Sequence, residues 1–235
     1  MGSPVVPDDS LADGALAFEP FTLPDDGYRE HLLALLALQA APVWSVGQQV
    51  AYQEHVMAGP TLEHWVRVSG AWAEVERNIW ELNGLLDHLG VDSWEGLPGA
   101  AADGAAVAAA AGSWIDLLLA EQVADGLGAA MARACVDSSY APLARTARLL
   151  AYGKAGSQAS GVVGLREILV EGQAPRSEVE DRAAVWLDLV GTWAARYDDA
   201  QSADGFGRGL ALRFDATAEL AAIKTELDGL LEAAR

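Results

Sequence analysis

The amino-acid sequence predicts an all-α protein, a bundle of about five to six helices, and three observations carry that prediction. Apolar residues recur at three- and four-residue spacing through most of the chain, which places them on one face of a helix. The strict alternation of a half-buried strand is sustained nowhere. The 235 residues suit one large domain or two small ones, and a hydrophobic content of 51% is ample for a sizeable core.

Residues 1–26 hold Pro4, Pro7, Pro20 and Pro24 among several Asp and Gly, a composition that favours an extended arm. A first helix is expected from Tyr28, with Leu32, Leu35, Leu36 and Val43 on its buried face and a kink at Pro42. The second starts at Pro60, a residue suited to a first helical turn, and ends at Gly90. Its stripe is Val68, Trp72, Val75, Ile79, Leu82 and Leu86. After a Gly- and Pro-rich loop, Val91 to Asp103, a third helix is expected from Gly104 to Cys135, entered through the Ala-rich run Ala105 to Ala111. A fourth covers Pro142 to Val170, and a fifth Ser177 to Tyr197. The Gly-rich loop Asp204 to Gly209 leads to a last amphipathic helix, Asp215 to Leu231. The bundle thus occupies 27–200, with 201–235 a loop and helix of the same domain.

Charge and cysteine content narrow the function classes. With 34 Asp and Glu against 15 Lys and Arg, the formal charge of -19 repels phosphate backbones and anionic membranes, so neither nucleic acid nor a membrane surface is an expected partner. The single cysteine, Cys135, forms no internal disulfide or thiolate cage and suits a reducing cytosol. Met1 to Asp9 lacks the basic and apolar regions of a secretory leader, and no apolar run is long enough to span a bilayer, so a soluble cytoplasmic protein is expected.

Two stretches point to a family. One runs from Gly59-Pro60-Thr61-Leu62 through Ala73-Glu74-Val75-Glu76-Arg77-Asn78 to Leu89-Gly90. The other runs from Ser138-Ser139-Tyr140-Ala141-Pro142-Leu143-Ala144-Arg145 through Gly153-Lys154-Ala155-Gly156-Ser157 to Gly161. Both resemble the ferritin-like phenylacetic acid catabolic proteins, whose catalytic subunit epoxidises the ring of phenylacetyl-CoA beside a sister subunit without iron. Arg182 and Trp186 also stand where that family carries Arg and Trp, and the resemblance spans roughly residues 28 to 197.

The resemblance implies a ferritin-like bundle, and it also locates the residues that a di-iron centre would need. Such a centre takes a Glu from each of two helices and a Glu-x-x-His pair from each of two others, all projecting into the bundle core. The matched positions hold Ser45, Val75 and Asn78, Asp125, then Lys154 and Ser157, of which only Asp125 is a carboxylate. A count independent of register agrees. The residues three before His31, His55, His64 and His88 are Tyr28, Tyr52, Thr61 and Leu85, so the chain has no Glu-x-x-His, and it has no histidine after residue 88. The expected cofactor set is therefore none.

Lys154 is one of only two lysines in the chain, and a buried charge survives chiefly when paired, so a Lys154–Asp125 ion pair is expected to replace metal as an internal strut. The competing arrangement has Lys154 snorkelling to solvent. Val75 and Asn78 read as an ordinary core face with one satisfied polar group. Trp72, Trp80, Trp114 and Trp186 read as core or interface fillers. Arg145 and Arg148 are candidates for a CoA phosphate or an acidic partner helix, against the plainer reading of a solvated face.

The expected function is a metal-free pseudoenzyme: a structural or regulatory subunit of a multicomponent di-iron oxygenase for aromatic acyl-CoA substrates. It would pair as a homodimer or with a di-iron paralogue. The alternative uses the emptied core, with Trp72, Asn78, Asp125, Lys154 and Ser157, as a metal-independent pocket for an acyl thioester. A third is a small-molecule binding or scaffolding protein.

Overall fold

The computed structural model describes residues 23, 25–47, 77, 79–92, 97, 99–201 and 209–233, and the regular structure among them is all helical, with no strand. Residues 1–22 of the expected arm, 60–76 of the second helix and 204–208 of the Gly-rich loop lie outside the described residues.

Helix α1, Asp26–Gly47, begins where the Asp25 carboxylate accepts the Tyr28 amide at 2.8 Å, and it continues past Pro42. An Asp at this place satisfies one of the donors that a helix start leaves open. Tyr28, Leu32, Leu35 and Leu36 form its buried face. The helix over 79–88, α2, buries Leu82, Leu85 and Leu86 and stops at Gly90, whose φ of 68° only glycine adopts without strain. There the Val91 amide reaches back to the Leu86 carbonyl and the Gly90 amide to that of Asp87, closing the open carbonyls of the last turn.

The third expected helix is two. Helix α3, Ala100–Ala110, ends at Ala111, and α4, Trp114–Leu119, starts afresh after Ser113. The Ser113 hydroxyl accepts the Asp116 amide, and the Asp116 carboxylate accepts the Ser113 hydroxyl at 2.8 Å and the Gly112 amide at 2.9 Å. That reciprocal cap starts a new helix where Gly112, a poor helix former, ends the Ala-rich run. From α4 the chain passes through a single π turn, Ala120–Ala124, into α5, Asp125–Ala134. With this break the described residues hold more helices than the five to six expected.

Helix α6, Ala141–Val170, carries Pro142 in its first turn and packs chiefly along α5. It ends at Gly172, φ 65°, where the Gln173 amide returns to the Ile168 carbonyl. Helix α7, Arg176–Gln201, pairs with α8, Ala216–Ala233, and α1 packs on α3. Asp198 fixes the α7–α8 corner by accepting the amides of Ala216 and Thr217, while Asp215 caps α8 through the Ala218 amide. The indole of Trp186 is in the core and half-buried Trp114 packs against that core, while Trp80 is 79% exposed, which leaves it only the interface half of the expected core-or-interface role. No helix among the described residues is long and apolar enough to cross a membrane.

At Gly161, α6 lies directly against the end of α4 and the π turn. A Cβ on Gly161 would stand 2.6 Å from the Leu118 carbonyl oxygen and 2.8 Å from the Gln122 amide nitrogen, both backbone atoms that cannot give way. Gly161→Ala is therefore expected to destabilise the protein by about 1–3 kcal/mol through overpacking. Gly229→Ala in α8, where a Cβ meets nothing within 4 Å, should instead stabilise by about 0.5–1 kcal/mol. Urea unfolding followed by circular dichroism measures both, and equal effects at the two sites would contradict this packing.

Candidate functional site

Lys154 and Asp125 meet between α6 and α5. The Lys154 Nζ donates to Asp125 Oδ1 at 2.9 Å, with the lysine side chain 2% exposed and the aspartate 14%. Space for the ammonium comes from Gly128, one turn after Asp125, because a Cβ there would lie 2.9 Å from Lys154 Cδ and 3.0 Å from Nζ. The pair is thus built from three positions: a glycine that opens the α5 surface, an acid at its edge and a long cation reaching across from α6. The lysine lies inside and does not snorkel.

The π turn just before Asp125 sets which way that acid points. In an uninterrupted α-helix, Asp116 and Asp125, nine residues apart, would lie on opposite sides. The one extra residue of a π turn brings them to within about 80° of each other. Asp116 then serves α7 and Asp125 serves α6. The turn itself buries two polar side chains that the sequence reading passed over, Glu121 and Gln122. Neither amide atom of the Gln122 side chain has a hydrogen-bond partner. Their signal was present in the sequence: Asp116, Glu121, Gln122 and Asp125 interrupt an otherwise apolar run.

Two further acids clamp α7. Asp116, fully buried, accepts the Trp186 indole at 3.3 Å and faces Arg182 Nη1 at 3.3 Å. Asp103 of α3 accepts the Trp193 indole at 3.2 Å and a two-pronged contact from Arg196 at 2.7 and 2.8 Å. Each clamp combines a tryptophan, an arginine and a buried aspartate, so each satisfies an indole N–H that burial would otherwise leave open. Arg182 and Trp186, singled out by resemblance, therefore act together on Asp116.

The remaining sequence candidates are dispersed. Ser157 is half-buried on α6, one turn beyond Lys154. Arg145 and Arg148 lie on the exposed face of α6, and Arg148 donates to the Val136 carbonyl at 3.1 Å. Nine residues separate Arg145 from Lys154, which sets them on opposite sides of the helix. Ser45 belongs to α1, but its side chain, like Trp72, Val75 and Asn78, falls outside the described residues. At the other end of α5, Tyr28 Oη and Ser139 Oγ share a hydrogen bond of 2.8 Å, and the His88 ring lies 6.2 Å from that of Tyr140. Burial first, then neighbouring Tyr28, pushes the Tyr140 phenol up to about 12, so it stays protonated at neutral pH and offers no base. A groove of about 370 Å³ between α7 and α8 has Ala183, Leu187, Leu227 and Leu231 on its walls and the Arg176–Glu180 and Lys224–Asp228 pairs on its rim.

These residues do not fit a di-iron centre. Among the described residues no three His, Cys, Asp or Glu side chains come together as a metal ion requires. Asp125 already accepts an ammonium, and the His31 Nδ1 donates to the Gly27 carbonyl at 2.6 Å. The chain matches no protein-family model and no curated protein, so the chemistry of the site has to come from its own residues.

Two outcomes follow from this geometry. Asp125→Leu strands a buried ammonium and is expected to cost about 3–5 kcal/mol. Lys154→Met should cost less, since Asp125 keeps some contact with water, and the double variant should recover most of the loss. Chemical denaturation of the three variants measures the coupling, and strictly additive effects would show that the two residues are not a pair. Gln122→Met, which keeps the volume and removes an unpartnered amide, should raise stability by about 1–3 kcal/mol in the same assay. A loss of stability there would mean that the amide is satisfied.

Proposed function

We propose that this chain is a metal-free helical subunit, ferritin-like in architecture, that supports a di-iron paralogue in a cytoplasmic multicomponent oxygenase for aromatic acyl-CoA substrates. The observation that carries the proposal is the Lys154 ammonium seated on Asp125 at 2.9 Å. By resemblance, both stand at positions where the catalytic subunit holds metal ligands. An ammonium there supplies the positive charge that a carboxylate needs in a dry interior, and its bond to Asp125 ties α6 to α5 without any metal. The helical frame, and with it a surface for a partner, can persist after the ligands are gone. Aromatic acyl-CoA chemistry enters through the resemblance alone, by analogy with the family's pairing of an active subunit and an iron-free sister.

The metal-independent pocket finds less support. Lys154 lies directly against Gly128, with no room between them for an acyl group, and the groove between α7 and α8 is remote from Asp125 in the sequence and lined by neither member of the pair. An acyl-CoA phosphate held by Arg145 would sit on the far side of α6 from Lys154.

The test combines metal loading with reconstitution. After anaerobic incubation with ferrous iron or manganese and gel filtration, the purified chain should retain far less than one metal per molecule. Mixed with a co-encoded paralogue that carries both Glu-x-x-His motifs, it should raise that protein's turnover of phenylacetyl-CoA while showing none alone. About two tightly held metals per chain, lost on Asp125→Ala, would overturn the reading, as would a paralogue whose turnover is indifferent to this chain.

A further inference from the structure

The outer face of α6 carries an apolar seam and no exposed acid. Its exposed positions include Leu149, Tyr152, Gly156, Ala159, Val163, Arg166 and Val170, a strict alternation of three- and four-residue steps that forms one seam along the helix. Tyr152 is 84% exposed and Val170 72%. Gly156 lies in open space, with nothing within 4 Å of a Cβ placed on it. In a chain of net charge -19, no exposed residue of α6 is an acid, whereas Arg145, Arg148 and Arg166 are all exposed. Acids appear only at the C-terminal end, as half-buried Glu167 and exposed Glu171.

We propose that this face is the interface of a homodimer, two copies of α6 crossing antiparallel about a two-fold axis between Gly156 and Ala159. The occupant is a second copy because the seam complements itself in that orientation and in no parallel one. With the axis there, Gly156 meets Ala159 of the second copy, so the two smallest residues stand at the crossing and let the helices approach to about 8 Å. Tyr152 covers Val163, and Leu149 lies under the aliphatic stem of Arg166. The basic start of one helix, Arg145 and Arg148, comes beside the acidic end of the other, Glu167 and Glu171. A parallel pairing would instead set arginine against arginine. Closed two-fold pairs use one patch twice, which is what a seam matched end to end provides. The inference is independent of the proposed oxygenase role, since a dimer can form whether or not a catalytic paralogue exists.

Sedimentation equilibrium on the full chain tests it. The wild-type chain should be a dimer at micromolar concentration, and Tyr152→Asp with Val163→Asp should make it monomeric with an unchanged helical spectrum, because both side chains are exposed. A charge swap tests the orientation: Arg145→Glu should raise the dissociation constant about tenfold, and Arg145→Glu combined with Glu171→Arg should restore it to within about threefold. A wild-type monomer at about 100 µM would overturn the proposal, since a contact weaker than that is no stable dimer. So would a dimer that ignores both sets of substitutions, or association through this face only with a different, acidic helical protein.

Discussion

A buried ammonium needs a carboxylate, and most of this fold can be read as arranging one. Asp125 can reach Lys154 only if α5 and α6 lie close, and that closeness is set by glycines at the contact: Gly161 against the backbone of Leu118 and Gln122, and Gly128 under the lysine stem. It also depends on the π turn, which turns the α5 segment so that its acid faces α6 while Asp116 still faces α7. An apolar pair would stabilise the same contact at least as well, because both charges lose hydration on burial. The ion pair therefore does not make the bundle more stable than a hydrocarbon contact would. It does fix register, since one lysine can meet one acid at one depth, whereas leucines along two helices tolerate a shift of a turn.

The same logic recurs around α7. Trp186 and Trp193 each carry a large apolar surface into the core together with an N–H that must be satisfied there, and Asp116 and Asp103 accept those two donors. Because the two acids sit on different helices, α4 and α3, they determine how α7 lies across both. Arg182 and Arg196 complete the acids' coordination from the solvent side. Polar groups thus orient the helices within a core whose bulk is leucine and alanine.

What was legible in the sequence follows from how local each signal is. α6, α7 and α8 begin and end within a few residues of their expected bounds, because Pro142, Gly172 and Asp215 mark ends and the apolar spacing marks faces. The Lys154–Asp125 contact could be anticipated because lysine is so scarce that its placement is informative. The break at Ala111–Ser113 was missed although its cap, Ser113 with Asp116, is written in four residues; the Ala-rich run before it hid it. The π turn has no comparable sign, since a one-residue insertion leaves no mark on composition. The roles of Asp103 and Asp116 were not legible, for a carboxylate's partner ninety or seventy residues away is not visible from its neighbours.

The central claim is that Lys154 is a charged, buried strut held by Asp125, and the scarcity of lysine makes it directly measurable. Lys154 and Lys224 are the only two lysines, and Lys224 is half-exposed at the protein surface. In protein labelled with nitrogen-15 and carbon-13 at lysine, the account predicts two side-chain ammonium environments at neutral pH. One, assigned to Lys154, should have slowly exchanging hydrogens and a correlation to the Asp125 carboxylate, and Asp125→Leu should abolish it. Two rapidly exchanging ammonium groups, both indifferent to Asp125, would contradict it.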